Sequence, residues 1–116
     1  MKYVRERKEL SLQGPTVVTL GKFNGMHRGH QKLIRRVLEL GRSGHETVVC
    51  AFETPSRRLL TRAERYSLLE RMGIDTLAEC QMDARLMHML PDEFIRRVLL
   101  EQMHAGWVVV GSDFKF

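Results

Sequence analysis

Long apolar runs are what this 116-residue chain most plainly lacks. No stretch approaches the ~18 consecutive apolar residues of a membrane-spanning helix, and the charged start of the chain lacks the apolar core of a signal peptide. A cytoplasmic protein with no membrane partner is expected. Cysteine is scarce too. Cys50 and Cys80 sit inside apolar runs, far from metal-ligand spacing, so they read as small buried side chains in a reducing compartment. No metal held by the protein's own ligands is expected. Aromatic residues make up only 7% of the chain, too few for the stacking platforms of a single-strand nucleic-acid binder. There is no low-complexity stretch and no linker.

What is present suits one globular core: 43% of residues are hydrophobic and 28% charged, which leaves no case for two domains. The formal charge of +5 comes largely from arginines such as Arg35, Arg36, Arg57, Arg58, Arg96 and Arg97. That balance suits anionic ligands, but arginine pairs spread in this way read as solvated helix faces. Small-molecule substrates, and no nucleic acid, are the expected partners.

Apolar, β-branched runs occur at Thr16 to Leu20, Thr47 to Phe52, Thr76 to Cys80 and Trp107 to Gly111. Their spacing of about thirty residues is that of a βαβ unit. Near-continuous apolar strands imply burial on both faces, hence a parallel sheet. Three helical patterns lie between them. The first buries Leu33, Ile34, Val37 and Leu38 and ends near Gly41. The second opens with a capping box, Thr61 to Glu64, turns Tyr66, Leu69 and Met72 inward and stops at Gly73. The third starts with Pro91 and turns Phe94, Ile95, Val98 and Leu99 inward. The expected fold is a three-layer α/β sandwich. His45, His88 and His104 belong to no motif and read as surface residues.

The segment Gly21-Lys22-Phe23-Asn24-Gly25-Met26-His27-Arg28-Gly29-His30 joins the first strand to the first helix. A helix start carries unpaired N–H groups and a partial positive charge, a natural seat for phosphate, and the two imidazoles add donors. Its glycine spacing fits neither G-x-G-x-x-G nor G-x-x-x-x-G-K-[ST]. Phosphate chemistry is the first functional expectation. Ligands of open α/β sheets bind at the carboxyl ends of the strands, so the loops after Leu20, Phe52 and Val110 form one candidate crevice.

Val17 to Gln31 resembles the signature of the bacterial FAD synthetase family, the bifunctional riboflavin kinase/FMN adenylyltransferases, which reads G-[NK]-F-D-G-[VLM]-H-x-G-H-Q. Leu60-Thr61 with Glu64 and Leu68-Leu69, then Pro91 to Phe94, then Val109 to Phe116 fit the same family in the same order. The last of these resembles V-V-G-x-[DN]-F-x-F-G. The resemblance implies a Rossmann-like nucleotidyltransferase sheet with strand order 3-2-1-4, of which residues 1–116 are the N-terminal part. It implies transfer of AMP from ATP to FMN, with Mg²⁺, to give FAD and pyrophosphate, and a parent protein that also phosphorylates riboflavin. By resemblance His27 and His30 are the catalytic candidates, with Gly21, Phe23, Asn24, Gly25 and Gly29 on the nucleotide. Asp113, Phe114 and Phe116 are the substrate-side candidates. Phe23 reads equally as a core residue anchoring the loop, Asp113 as a turn residue, and Phe114 and Phe116 as core packing.

Departures from the family pattern are local. Asn24 stands where an aspartate is usual, which removes a charge beside the nucleotide. Phe52-Glu53-Thr54-Pro55-Ser56 replaces F-x-P-H-P. The sequence stops at Phe116, before the family's I-S-S-T-x-x-R motif and before a riboflavin kinase domain, so the sheet is expected to be incomplete at its C-terminal side and the chain alone weakly active or inactive. An exposed edge strand at Trp107 to Gly111 would favour self-association. The alternatives are a nucleotide-binding fragment without catalysis, and another adenylyltransferase of the same superfamily, for coenzyme A or NAD synthesis.

Overall fold

The computed structural model describes residues 1–5, 11–23, 28–53, 61–81 and 88–111, the side chains of Glu53 and Gln81 excepted. Five strands form one sheet: β1 (Lys2–Val4), β2 (Thr16–Gly21), β3 (Glu46–Glu53), β4 (Thr76–Gln81) and β5 (Ala105–Val109). Their order is β1-β4-β3-β2-β5, and every pairing is parallel. The four strands read from the sequence stand in their expected order. The order differs from expectation by β1, which pairs Tyr3 with Leu77 at the outer side of β4. Three residues beside a run of charges give too little alternation to be read as a strand.

The two faces of the sheet bury different clusters, because successive side chains of a strand point to opposite sides. Val17, Val49 and Leu77 face helices α1 (Arg28–Gly41) and α2 (Arg62–Met72), packing on Ile34, Val37 and Leu69. Val18, Val48, Cys50, Ala78 and Cys80 face the opposite way, against Phe94, Val98, Leu99 and Met103 of the last helix. Helices on both faces make three layers. Helix α2 begins and ends as its residues dictate. The Thr61 side chain accepts from the Glu64 N–H while the Glu64 carboxylate accepts from the Thr61 N–H. Gly73 ends the helix at φ 99°, a left-handed position that glycine takes without strain.

The last helix, α3 (Pro91–Phe94), runs on as a π-type segment, Ile95–Gln102. There Met103 N–H reaches back five residues to the Val98 carbonyl at 3.0 Å. This wider winding corrects one expectation: Phe94, Val98, Leu99 and Met103 line the buried face, whereas Ile95 is 39% exposed. β5 is the exposed edge strand expected at Trp107 to Gly111, with Trp107 51% and Val108 43% exposed, and so lacks the burial on both faces that β2 and β3 have.

Cys50 and Cys80 are buried and not joined by a disulfide, their sulfurs 3.4 Å apart on the α3 face. The hydrogen bond to Cys80, and then burial, push the Cys50 thiol well up from its ordinary range. Arg35, Arg36, Arg96 and Arg97 are exposed, as expected; Arg57 and Arg58 lie outside the described residues. His88 and His104 are exposed and His45 is half-buried. Among the described residues no helix is long and apolar enough to cross a membrane.

Candidate active site

Strand β2 is the central rail of the site, and five of its six residues are fully buried. Parallel pairing puts its carboxyl end, Gly21, on the same edge as the ends of β3, β4 and β5. After Gly21 the chain emerges at the exposed Lys22 and then turns inward at Phe23. Phe23 has φ 48°, a left-handed backbone unusual for a bulky side chain, and is 1% exposed. It is therefore a core residue. Its ring lies against the imidazole of His30, with centroids 4.8 Å apart and planes tilted by 40°.

Gly21 makes room for that ring, since a Cβ there would stand 3.0 Å from Phe23 Cε2. Helix α1 then opens at Arg28, with Gly29 exposed and His30 half-buried in its first turn. No acidic side chain lies in that turn, and the partial positive charge of a helix start suits an anion. The structure thus brings Gly21, Phe23, Gly29 and His30 to one edge of the sheet. Asn24, Gly25, His27, Asp113, Phe114 and Phe116, and the loop at Thr54 to Ser56, lie outside the described residues.

Two residues beside this turn were not singled out from the sequence. Arg65 of α2 and Glu79 of β4 are each 2% exposed and form an ion pair, Nη2 to Oε1. Arg65 Nη1 also donates to the carbonyls of Lys22 at 3.4 Å and Phe23 at 3.3 Å. The second carboxylate oxygen of Glu79 accepts from the Tyr3 hydroxyl at 2.6 Å and lies 4.0 Å from Arg62 Nε. Burial, and then the bond to Glu79, push the Tyr3 phenol up to about 12. A signal for the pair was available. Glu79 is the one charge in the apolar run Thr76 to Cys80, and a charge in a buried strand requires a partner. Arg65 precedes the buried Leu69 by one helical turn.

The family model of FAD synthetase matches residues 9–116 of this sequence. The chain belongs to the FAD synthetase family. A relative from Geobacillus thermodenitrificans, named for the riboflavin kinase and FMN adenylyltransferase activities, is 32% identical over all of this chain and 68% of its own length. The bifunctional riboflavin kinase/FMN adenylyltransferase of Escherichia coli (strain K12) is 29% identical, and the chain spans 41% of it. The chain also superposes along its whole length on half of a crystal structure described as a macrolide-efflux protein from Streptococcus pneumoniae, with TM-score 0.88 and 26% identity.

Proposed function

We propose that this chain is the N-terminal part of an FMN adenylyltransferase domain, transferring AMP from ATP to FMN. A phosphate oxygen of FMN attacks the α-phosphorus of ATP in line. The new P–O bond completes FAD, the bond to the β-phosphate oxygen breaks, and pyrophosphate leaves. Such a transfer needs no covalent enzyme intermediate; it needs aligned reactants and donors aimed at the charge that develops on phosphorus. The observation that carries the reading is His30. It stands in the first turn of α1, its ring set on Phe23, at the carboxyl edge of a sheet in an FAD synthetase chain.

In this scheme His30 donates to the transferring phosphate and His27 helps to hold the nucleotide phosphates. Gly21, Asn24, Gly25 and Gly29 border the nucleotide, and Phe23 acts from the core by supporting His30. Asp113, Phe114 and Phe116 serve the FMN side. The described residues include no group of three or more carboxylate, imidazole or thiol side chains able to hold a metal; Mg²⁺ is commonly held by one or two carboxylates with substrate phosphates. Mg²⁺ would enter with the triphosphate. Phosphorylation of riboflavin would belong to a longer protein carrying this segment, in the cytoplasm.

The test is His30→Ala in the intact protein, followed by FAD formation from FMN and ATP. Loss of one donor to developing charge is expected to lower the rate by ~10²–10³. A rate within about threefold of the parent, far short of that loss, would overturn the assignment.

A further inference from the structure

The buried pair Arg65–Glu79 is an expensive way to hold two elements together. Replacing such a pair by apolar residues of similar volume is often neutral or stabilising, so stability alone gives little reason for it. Its geometry gives a better one. A guanidinium is a rigid planar fork that can engage several acceptors in fixed directions, which an ammonium cannot do. Here the fork joins Glu79 on one side to the Lys22 and Phe23 carbonyls on the other.

Those two carbonyls lie where β2 has just ended and Phe23 takes its left-handed backbone. The orientation of the Phe23 carbonyl is coupled to that backbone, and the backbone decides where the ring goes. The ring in turn lies on His30. Glu79 is itself held by Tyr3 and approached by Arg62. Contacts therefore run without a break from Tyr3 and Glu79 through Arg65 and Phe23 to the imidazole.

We propose that Arg65, oriented by Glu79, is a positioning residue for phosphoryl chemistry at His30, setting the imidazole's pose through the Phe23 backbone and ring. The proposal rests on the adenylyl-transfer reading only for the identity of the reaction. Arg65 is 2% exposed and acts through the Phe23 carbonyl to which it donates.

The experiment compares Arg65→Met and Arg65→Lys with the parent by two readouts. The first is the ring-proton NMR signals of His30, which feel the Phe23 ring current, with the Ile34 and Val37 methyl signals as a control for the packing of α1. The second is FAD formation. Arg65→Met is expected to move the His30 signals while the methyl signals stay in place. It should also lower kcat by about 10–10²-fold, the scale of a misplacement near an ångström, with a smaller change in KM for ATP. Arg65→Lys, one ammonium in place of a fork, should restore part of both.

Unmoved His30 signals in folded Arg65→Met would overturn the proposal. So would a kcat within about twofold of the parent, well below that scale. A parent protein that forms no FAD would sink the adenylyl-transfer reading alone, and the NMR readout would still decide what Arg65 does. Should Arg65→Met fail to fold, Arg65→Met combined with Glu79→Leu removes both charges and is judged by the same two outcomes.

Discussion

The two faces of the sheet solve the same packing problem with different chemistry. Under α3 the interior is apolar, down to a pair of thiols 3.4 Å apart. Under α1 and α2 the apolar cluster closes around an arginine and a glutamate, each 2% exposed. Only the second face includes Phe23, whose ring meets His30. An apolar interface fixes distance but tolerates sliding, whereas a hydrogen-bonded fork fixes direction. Under the proposed function, the face that presents His30 is the one that needs direction.

Breaking the pair from one side should give the largest effect on stability. Glu79→Leu leaves the Arg65 guanidinium buried without its counter-charge and is expected to cost ~3–5 kcal/mol in urea unfolding. Adding Arg65→Met to it should recover most of that cost. A single variant as stable as the parent would place the pair in water and end the contrast between the faces.

On the apolar face Met103, which is fully buried, offers the matching experiment. Met103→Ala is expected to cost ~2–5 kcal/mol through lost burial and the cavity left behind, with no movement of the His30 ring signals. Thermal unfolding and the same NMR spectrum check it. Movement of His30 comparable with that in Arg65→Met would mean that the two faces are not independent.

A smaller effect sharpens the comparison from the β1 side. The Tyr3 phenol is pushed up from its ordinary value near 10 to about 12, by burial first and then by Glu79. A folded value above the unfolded one favours the neutral phenol in the fold. The associated stability is complete below about pH 10 and is lost as pH rises from there through about 12. A rapid-mixing absorbance titration should show a tyrosinate component near pH 12 that disappears in Tyr3→Phe. If that component persists, it belongs to Tyr66, and the Tyr3 phenol is not the group held neutral.

The sequence revealed whatever periodicity and end signals encode. Near-continuous apolar runs marked β2, β3 and β4, the Thr61–Glu64 pattern marked the start of α2, and Gly73 its end. Ile95 was misplaced because a regular helical period assumes four-residue bonding, and the winding from Ile95 onward is wider. At the site, motif spacing picked out His30 and its glycines because their residue types carry phosphate chemistry. Arg65 carries only a weak local signal, its place one turn before the buried Leu69. Its partners are a glutamate on β4 and two carbonyls just past the end of β2, and only the fold brings them together.

The parallel sheet also has a consequence for the order of assembly. Val18 of β2 pairs with Val48 on one side and Val108 on the other, 30 and 90 residues further along the chain. Tripling the length of a closed loop adds about 1 kcal/mol of entropy cost, and sheets built from such distant pairings fold slowly. On a growing chain β2 therefore meets β3 long before β5 has been synthesised. The strand that delivers Phe23 to His30 is therefore seated on its β3 flank before it is closed on its β5 flank.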